Sequence, residues 1–403
     1  MTGNLRGTTQ TALLPLAFVL FLAEFARSAF LISFLPIYAA EKLGFSAAAA
    51  GLAVSIHYAA DTAIKIAAGF FLDRFSSRAL LHVSFVSALA GVCLAFAGTQ
   101  PWTLVAGAAL LGVGLSPLWL LCLSRVQEGQ RGGQIGLIYA VWLSALGAGP
   151  VAINFALERG GYGFSFWLLA GLLVLGWALG AGWRPIERPA AHRNRRLSAS
   201  RQIGQLRRKL RSMKPLLPGM VLQMAAVGLL VPILPAFATG SLGLSLSEYS
   251  LVMIAGGGCA VALLVPMGRL ADRFGHMRFL VVGFAGMAVS MLLVLFAASG
   301  LPAALAAAVL LGLSCAAALP AWNALLARFV PEEQKGTGWG VLSSVEGIGI
   351  MIGPAIGGWI AEQYGATTTV VVSAALMAVL ALFYGLRPIE LRTRARDKAG
   401  DRV

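Results

Sequence analysis

With 403 residues, 58% of them hydrophobic and only 12% charged, the chain has too little polar material to clothe a soluble fold of its size; a multi-pass membrane protein is expected. The formal net charge of +15 does not argue for a nucleic-acid partner, because the cations gather in loops between apolar runs, where membrane insertion places them. Cys93, Cys122, Cys259 and Cys315 all lie inside apolar runs and read as small core residues, not as a disulfide framework or a metal site.

Runs long enough to cross about 30 Å of hydrocarbon occur at 11–37, 47–70, 79–98, 102–123, 134–157 and 164–183, then at 215–239, 248–267, 279–299, 303–327, 338–361 and 367–386. The first run is too long and too charged inside for a cleavable leader, so it counts as a span. All twelve should be α-helices, since lipid offers backbone groups no partner. One side of the membrane collects Arg6, Arg74, Arg78, Arg125, Arg131, Arg269, Arg273, Arg278, Arg328, Lys335 and the tail cations, while the other keeps Lys42 and Arg159. That bias predicts both termini in the cytoplasm.

The expected organisation is an N-terminal six-helix bundle (1–183), a basic cytoplasmic linker (184–214), a C-terminal six-helix bundle (215–386) and a cytoplasmic tail (387–403). The linker carries eleven Lys/Arg against Glu187 alone. Either residues 198–213 form a basic amphipathic helix on anionic membrane lipids, or the segment is a solvated connection that reinforces orientation.

The halves repeat. "GFFLDRFSSR" (Gly69 to Arg78) follows the second span, and "GRLADRFGHMR" (Gly268 to Arg278) follows the eighth, 199 residues later. "GLS" recurs at 114–116 and 312–314, and "QRGGQIG…GAGP" (130–150) is matched by "QKGTGWG…MIGP" (334–354). Such a repeat implies two bundles facing each other around a central cavity, as in secondary transporters. The G-x-x-x-D-R-x-x-x-R loop resembles the signature loop of the major facilitator superfamily. The resemblance implies a conformational latch at Gly69, Asp73, Arg74 and Arg78, echoed at Gly268, Asp272 and Arg273. Physically, the glycine permits close helix approach, and Asp73 could sit at a neighbouring helix N-terminus, where the dipole favours its charge.

Away from the loops, Glu24, Arg27, His57, Asp61, Lys65 and Glu346 remain at depth, each costing on the order of 3 kcal/mol in hydrocarbon. Spacings of three (Glu24, Arg27) and four (His57, Asp61, Lys65) put each set on one helix face. Counting from the outer ends predicts two layers, Glu24 with Asp61 and Arg27 with His57. A carboxylate beside a cation, open to water from alternating sides, can carry a proton; Asp61 is the first candidate and Glu24 the second. Arg27 stays charged and suits a headgroup or tunes the carboxylates; Lys65 is a partner nearer the cytoplasm. The competing reading is a static ion-pair network joining the two helices, and His57 fits a core hydrogen bond as well as a functional role.

Trp119 and Trp142 fall at similar depth, with Tyr58 and Tyr139 as weaker candidates; indoles suit the apolar faces of sugars, and equally suit packing. The second half offers Gln223, Asn323 and Glu346 among Leu, Val, Ala, Met and Phe. A cavity polar on one side and greasy on the other suits an amphiphile, headgroup in the first bundle and acyl chains along the second. "EFAR" (Glu24 to Arg27) with Asp61, Trp119 and Trp142 resembles the proton-coupled glycolipid flippases of lipoteichoic-acid assembly. That resemblance implies an amphipathic lipid-linked sugar, a disaccharyl-diacylglycerol, as substrate and protons as coupling ions, with Glu24, Arg27, Asp61, Trp119 and Trp142 at the headgroup. The alternative is a drug–proton or sugar antiporter, because "GIGIMIGPAIGG" (Gly347 to Gly358) and "GAGP" (Gly147 to Pro150) resemble the glycine-rich bend of such exporters; tight helix packing explains both stretches too. Glu346 is a second proton site or a capped polar group. No nucleophile–base pair, metal cluster or phosphate loop stands out, so no enzyme activity, cofactor or metal is expected.

Overall fold

The structure, a computed structural model, describes residues 4–74, 76–125, 131–182, 216–296, 300–327 and 335–386. Helix is the only regular structure among them. The first pass, α1 (4–42), starts as the α-helix Asn4–Ser28 and continues through π turns at Ala29–Phe34 and Tyr38–Lys42. Then follow α2 (Ala47–Arg74), α3 (Ser77–Ala97) and α4 (Pro101–Ser124). The run Arg131–Gly182 is two passes, α5 (131–160) and α6 (162–182), because Gly161 at φ 68° and ψ −170° turns the chain back. The second half contributes α7 (217–241, bent by 52°), α8 (Leu246–Phe274), α9 (His276–Phe296), α10 (Leu301–Ala327), α11 (Lys335–Tyr364) and α12 (Ala366–Leu386). The linker 184–214 and the tail lie outside the described residues. Below, the outer end is the one carrying the turns at 43–46 and 242–245, after the charge rule.

Apolar packing divides between the halves. One core runs through α1–α6 around Leu20, Phe30, Phe34 and Phe85. Another joins α7, α9, α10 and α12 around Trp322, Phe284 and Tyr384, with a smaller cluster near Phe237. The cysteines are free; Cys122 is buried, whereas Cys93 is exposed on α3 and is not a core residue. Without a hydrophobic drive inside lipid, close approach rests on small residues. Gly91 on α3 and Gly107 on α4 face each other so tightly that a Cβ on either would stand 2.5 Å from the other's carbonyl oxygen.

The tandem repeat is visible in backbone detail. Gly44 and Gly243, 199 apart, both adopt φ 67° at the outer turns, where a side chain would be strained. The hydrogen bond from Leu43 N–H to the Tyr38 carbonyl (3.1 Å) is matched by Leu242 N–H to Phe237 (3.1 Å). In α4 and α10 the offset is 200. Gly112 packs on the His57 carbonyl and Asp61 N–H, and Gly312 packs on the Gly256 carbonyl and Ala260 N–H, the positions 199 beyond. The "GLS" match at 114–116 and 312–314 is therefore two residues out of register, because contact with α2 or α8, not letter identity, defines equivalence.

Two seams join the bundles. Along the first, α2 packs on α11: Ala355 N–H donates to Ser55 Oγ (2.8 Å), Gly51 abuts Pro354, and Gly358 abuts Ala47. Among the described residues, α2 and α11 are the passes not apolar enough to span lipid by composition alone; each shields the other. Along the second seam, Glu158 near the end of α5 accepts from Ser247 N–H (2.8 Å) in the first turn of α8, where the helix dipole favours an anion. Ser247 Oγ also donates to Glu158 Oε2. Both sets of contacts lie towards the outer end.

Candidate functional site

Helices α1 and α2 assemble the ionisable groups. Arg27 Nε donates to Glu24 Oε2 (2.8 Å), and Nη2 contacts the same oxygen. Lys65 Nζ donates to Asp61 Oδ2 (2.6 Å). Each carboxylate thus has a cation about one helical turn away, and both carboxylates are buried. The two pairs share one field: Arg27 acts on Asp61 as well as on Glu24, and all three act on the half-buried Tyr58. The Lys65 side chain, 40% exposed, is the most open member.

α1 runs on to Lys42 instead of stopping near 37. Arg27 lies within electrostatic reach of both Asp61 and His57 on α2. His57 bonds to α4. Its Nδ1 lies 3.0 Å from the Ala108 carbonyl, which can only accept, so Nδ1 carries the proton and Nε2 is left without a protein partner. Ser116 Oγ donates to the Asp61 backbone carbonyl (3.0 Å), and Gly112 lets α4 approach this same turn.

An aromatic cluster lies on α4 and α5, with Trp119 about one turn beyond Ser116. Trp119 and Trp142 are 6.2 Å apart between ring centroids, and Tyr139 sits edge-on at 5.2 Å from Trp119 and 6.3 Å from Trp142. The sequence ranked Tyr139 low; its place three residues before Trp142, on the same helix face, was the available signal. Tyr139, 45% exposed, lies within electrostatic reach of Glu346 on α11.

In the second half, Trp322 Nε1 donates to Glu346 Oε1 (3.1 Å). Gln223 is buried 199 residues beyond Glu24, its repeat equivalent, whereas Asn323 is exposed. The glycines of α11 have packing duties: a Cβ on Gly349, Gly353 or Gly357 would meet the carbonyls of Val221, Ala225 or Leu229 on α7. Of the loop motif, the side chains of Gly69, Asp73 and Arg74 lie outside the described residues, and Arg78 is exposed in the first turn of α3. In the echo, Asp272 Oδ1 is 2.9 Å from Nε2 of His276, the first residue of α9; Arg273 lies over Phe274; and a Cβ added at Gly268 would make only ordinary contact with Pro320. Among the described residues no cluster of His, Cys, Asp and Glu could hold a metal.

The comparisons agree with this architecture. A family model described as Major Facilitator Superfamily matches residues 16–218 and 216–402. The chain is 33% identical over 384 residues to the proton-coupled antiporter flippase LtaA of Staphylococcus saprophyticus, covering 94% of each chain. It is 33% identical over 383 residues to the protein of that name from Staphylococcus haemolyticus (94% of each). For Staphylococcus aureus strain MSSA476 the identity is 32% over 383 residues (94% of this chain and 95% of the relative). Among solved structures, the nucleoside transporter NupG superposes with a TM-score of 0.77 at 14% identity, over 93% of this chain and all of that one, a likeness of fold alone. These relatives are transporters, and no enzyme family is indicated. With a twelve-helix, two-bundle architecture and matches across both halves, the chain belongs to the Major Facilitator Superfamily.

Proposed function

We propose that the protein is a proton-coupled antiporter that flips an amphipathic, lipid-linked sugar across the cell membrane by alternating access. The observation that carries this reading is the pooling of Glu24, Arg27, Asp61 and Lys65 between α1 and α2, opposite a largely apolar second bundle. Buried charge in a membrane helix is costly and is retained for function. The three relatives named proton-coupled antiporter flippases lend support. The resemblance in "EFAR", Asp61, Trp119 and Trp142 narrows the substrate to a disaccharyl-diacylglycerol.

In this reading Asp61 carries the proton and Glu24 assists. A protonated Asp61 loses its ionic attraction for Lys65 and Arg27, which frees donors for headgroup oxygens; an ionised Asp61 recaptures them. Proton and headgroup then compete for one set of groups, which is what antiport requires: each ligand lowers the other's affinity by the same coupling energy. Arg27 and His57 line the headgroup side, and Trp119 and Trp142 offer stacking faces. Acyl chains lie along the second bundle. The loop residues Gly69, Asp73, Arg74 and Arg78, with Gly268, Asp272 and Arg273, latch one conformation. The division into 1–183, 184–214, 215–386 and 387–403, with both termini in the cytoplasm and the linker on anionic lipid, belongs to the same reading.

Reconstitution tests it. In proteoliposomes, fluorescent disaccharyl-diacylglycerol should change leaflets faster under a pH gradient, and Asp61→Asn should lose that stimulation. Movement of headgroup-free hydrophobic cations without movement of the glycolipid would instead establish a drug antiporter.

A further inference from the structure

We infer that Glu346 is a second headgroup-binding residue, supplied by the C-terminal bundle, that closes a clamp on a neutral sugar against Trp119, Tyr139 and Trp142. The inference rests on the flippase reading and deepens it, since it moves part of the headgroup site into the bundle otherwise assigned to acyl chains.

The repeat locates the residue. "GAGP" at 147–150 and "MIGP" at 351–354 are 204 residues apart, and the same offset carries Trp142 onto Glu346. Two halves related about an axis along the membrane normal place equivalent residues at equal depth across the central space. The first half thus presents an indole where the second presents a carboxylate. Electrostatics agree: Glu346 reaches across to Tyr139 on α5.

The surroundings of Glu346 point to a ligand. Glu24 and Asp61 each have a cation one turn away, but among the described residues none pairs with Glu346. It accepts a hydrogen bond from Trp322, a fully buried indole wedged against Phe284 and Tyr384, which fixes the direction of the carboxyl group. One oxygen accepts that bond, and the other has acceptor capacity to spare. A sugar supplies what is missing: hydroxyl donors on its edge for the carboxylate, and apolar C–H faces for the rings. A phosphate-bearing or carboxylate-bearing headgroup would be repelled at this point, so the clamp selects uncharged polyols.

The test separates binding from coupling. In proteoliposomes carrying fluorescent disaccharyl-diacylglycerol, Glu346→Gln keeps the shape and can still accept from Trp322, but it exchanges a charged acceptor for a neutral amide. Loss of one charge-assisted hydrogen bond should raise the half-saturating lipid concentration about 10-fold, with maximal rate and pH-gradient stimulation retained. Trp322→Phe, which removes the orienting N–H, should shift it in the same direction by less. An unchanged half-saturating concentration in Glu346→Gln overturns the clamp, as does loss of pH-gradient stimulation alone, which would mark a proton site. If the wild-type protein flips no glycolipid, the flippase reading fails by itself. The clamp is then read by quenching of tryptophan fluorescence with the free disaccharide: an about 10-fold weaker response in Glu346→Gln upholds it, and no quenching of the wild type refutes it.

Discussion

The seam between α2 and α11 gives the sharpest prediction about how the bundles move. A Cβ added at Gly51 would stand 2.2 Å from the Pro354 carbonyl oxygen, and one added at Gly358 would stand 2.2 Å from the Ala47 oxygen. Carbon and carbonyl oxygen tolerate about 3.3 Å, and the obstructing atoms are backbone, which cannot rotate aside. Gly51→Ala or Gly358→Ala must therefore part the outer ends of the two helices by about 1 Å. Overpacking of this kind costs about 1–3 kcal/mol, charged only to the state in which the outer ends touch, so the equilibrium should move about 5- to 150-fold towards the state in which they are apart. Spin labels on cysteines at exposed Lys42 and Ser241, after replacement of the four native cysteines, report that distance by pulsed electron resonance. A longer population should grow in both variants. Two controls bracket the result. Gly147→Ala, with no heavy atom within 4 Å of the added carbon, should change nothing; Gly353→Ala, whose Cβ meets Ala225 inside one bundle at 2.6 Å, should lower thermal stability without lengthening the distance. A single short distance with unaltered melting in Gly51→Ala would refute the assignment of this seam as a closing contact.

Other outcomes follow from the same geometry. Glu158→Ala removes the acceptor for Ser247 N–H at the start of α8; losing this cap-like contact, worth about 1 kcal/mol, should raise the open population about fivefold in the same spin-label pair, with no loss of expression. Asp61→Asn should abolish stimulation by a pH gradient while leaving the melting temperature near the wild-type value, because Lys65 can still donate to the amide oxygen; flipping assayed with and without the gradient decides it. Gly107→Val should destabilise the N-terminal bundle by about 1–3 kcal/mol, since Gly91 leaves no room for a Cβ; a thermal-shift measurement in detergent checks it.

Much of the architecture is legible in local terms. Most passes follow from apolar runs, because a backbone in lipid has no choice but helix, whereas α2 and α11 fall short of that apolarity and shield each other. The duplication follows from "LDRF" and "ADRF", and the outer turns of both halves keep it in the φ of Gly44 and Gly243. The i,i+3 and i,i+4 spacings that grouped Glu24 with Arg27 and Asp61 with Lys65 produce ion pairs because side chains one turn apart must meet.

Relations between helices escaped that reasoning. Nothing in the letters announces that α1 continues through π turns to Lys42. His57 shares a stripe with Asp61 but bonds to α4, because a second helix crosses there at Gly112. Tyr139 gains importance from Trp119 on a different helix. Sequence by itself determined which segments enter the membrane and which charged side chains share a helix face, because both depend on transfer cost and on a 3.6-residue turn. Tertiary structure alone decided which faces meet and at what height, because without a hydrophobic drive inside lipid those choices rest on where small residues let backbones touch.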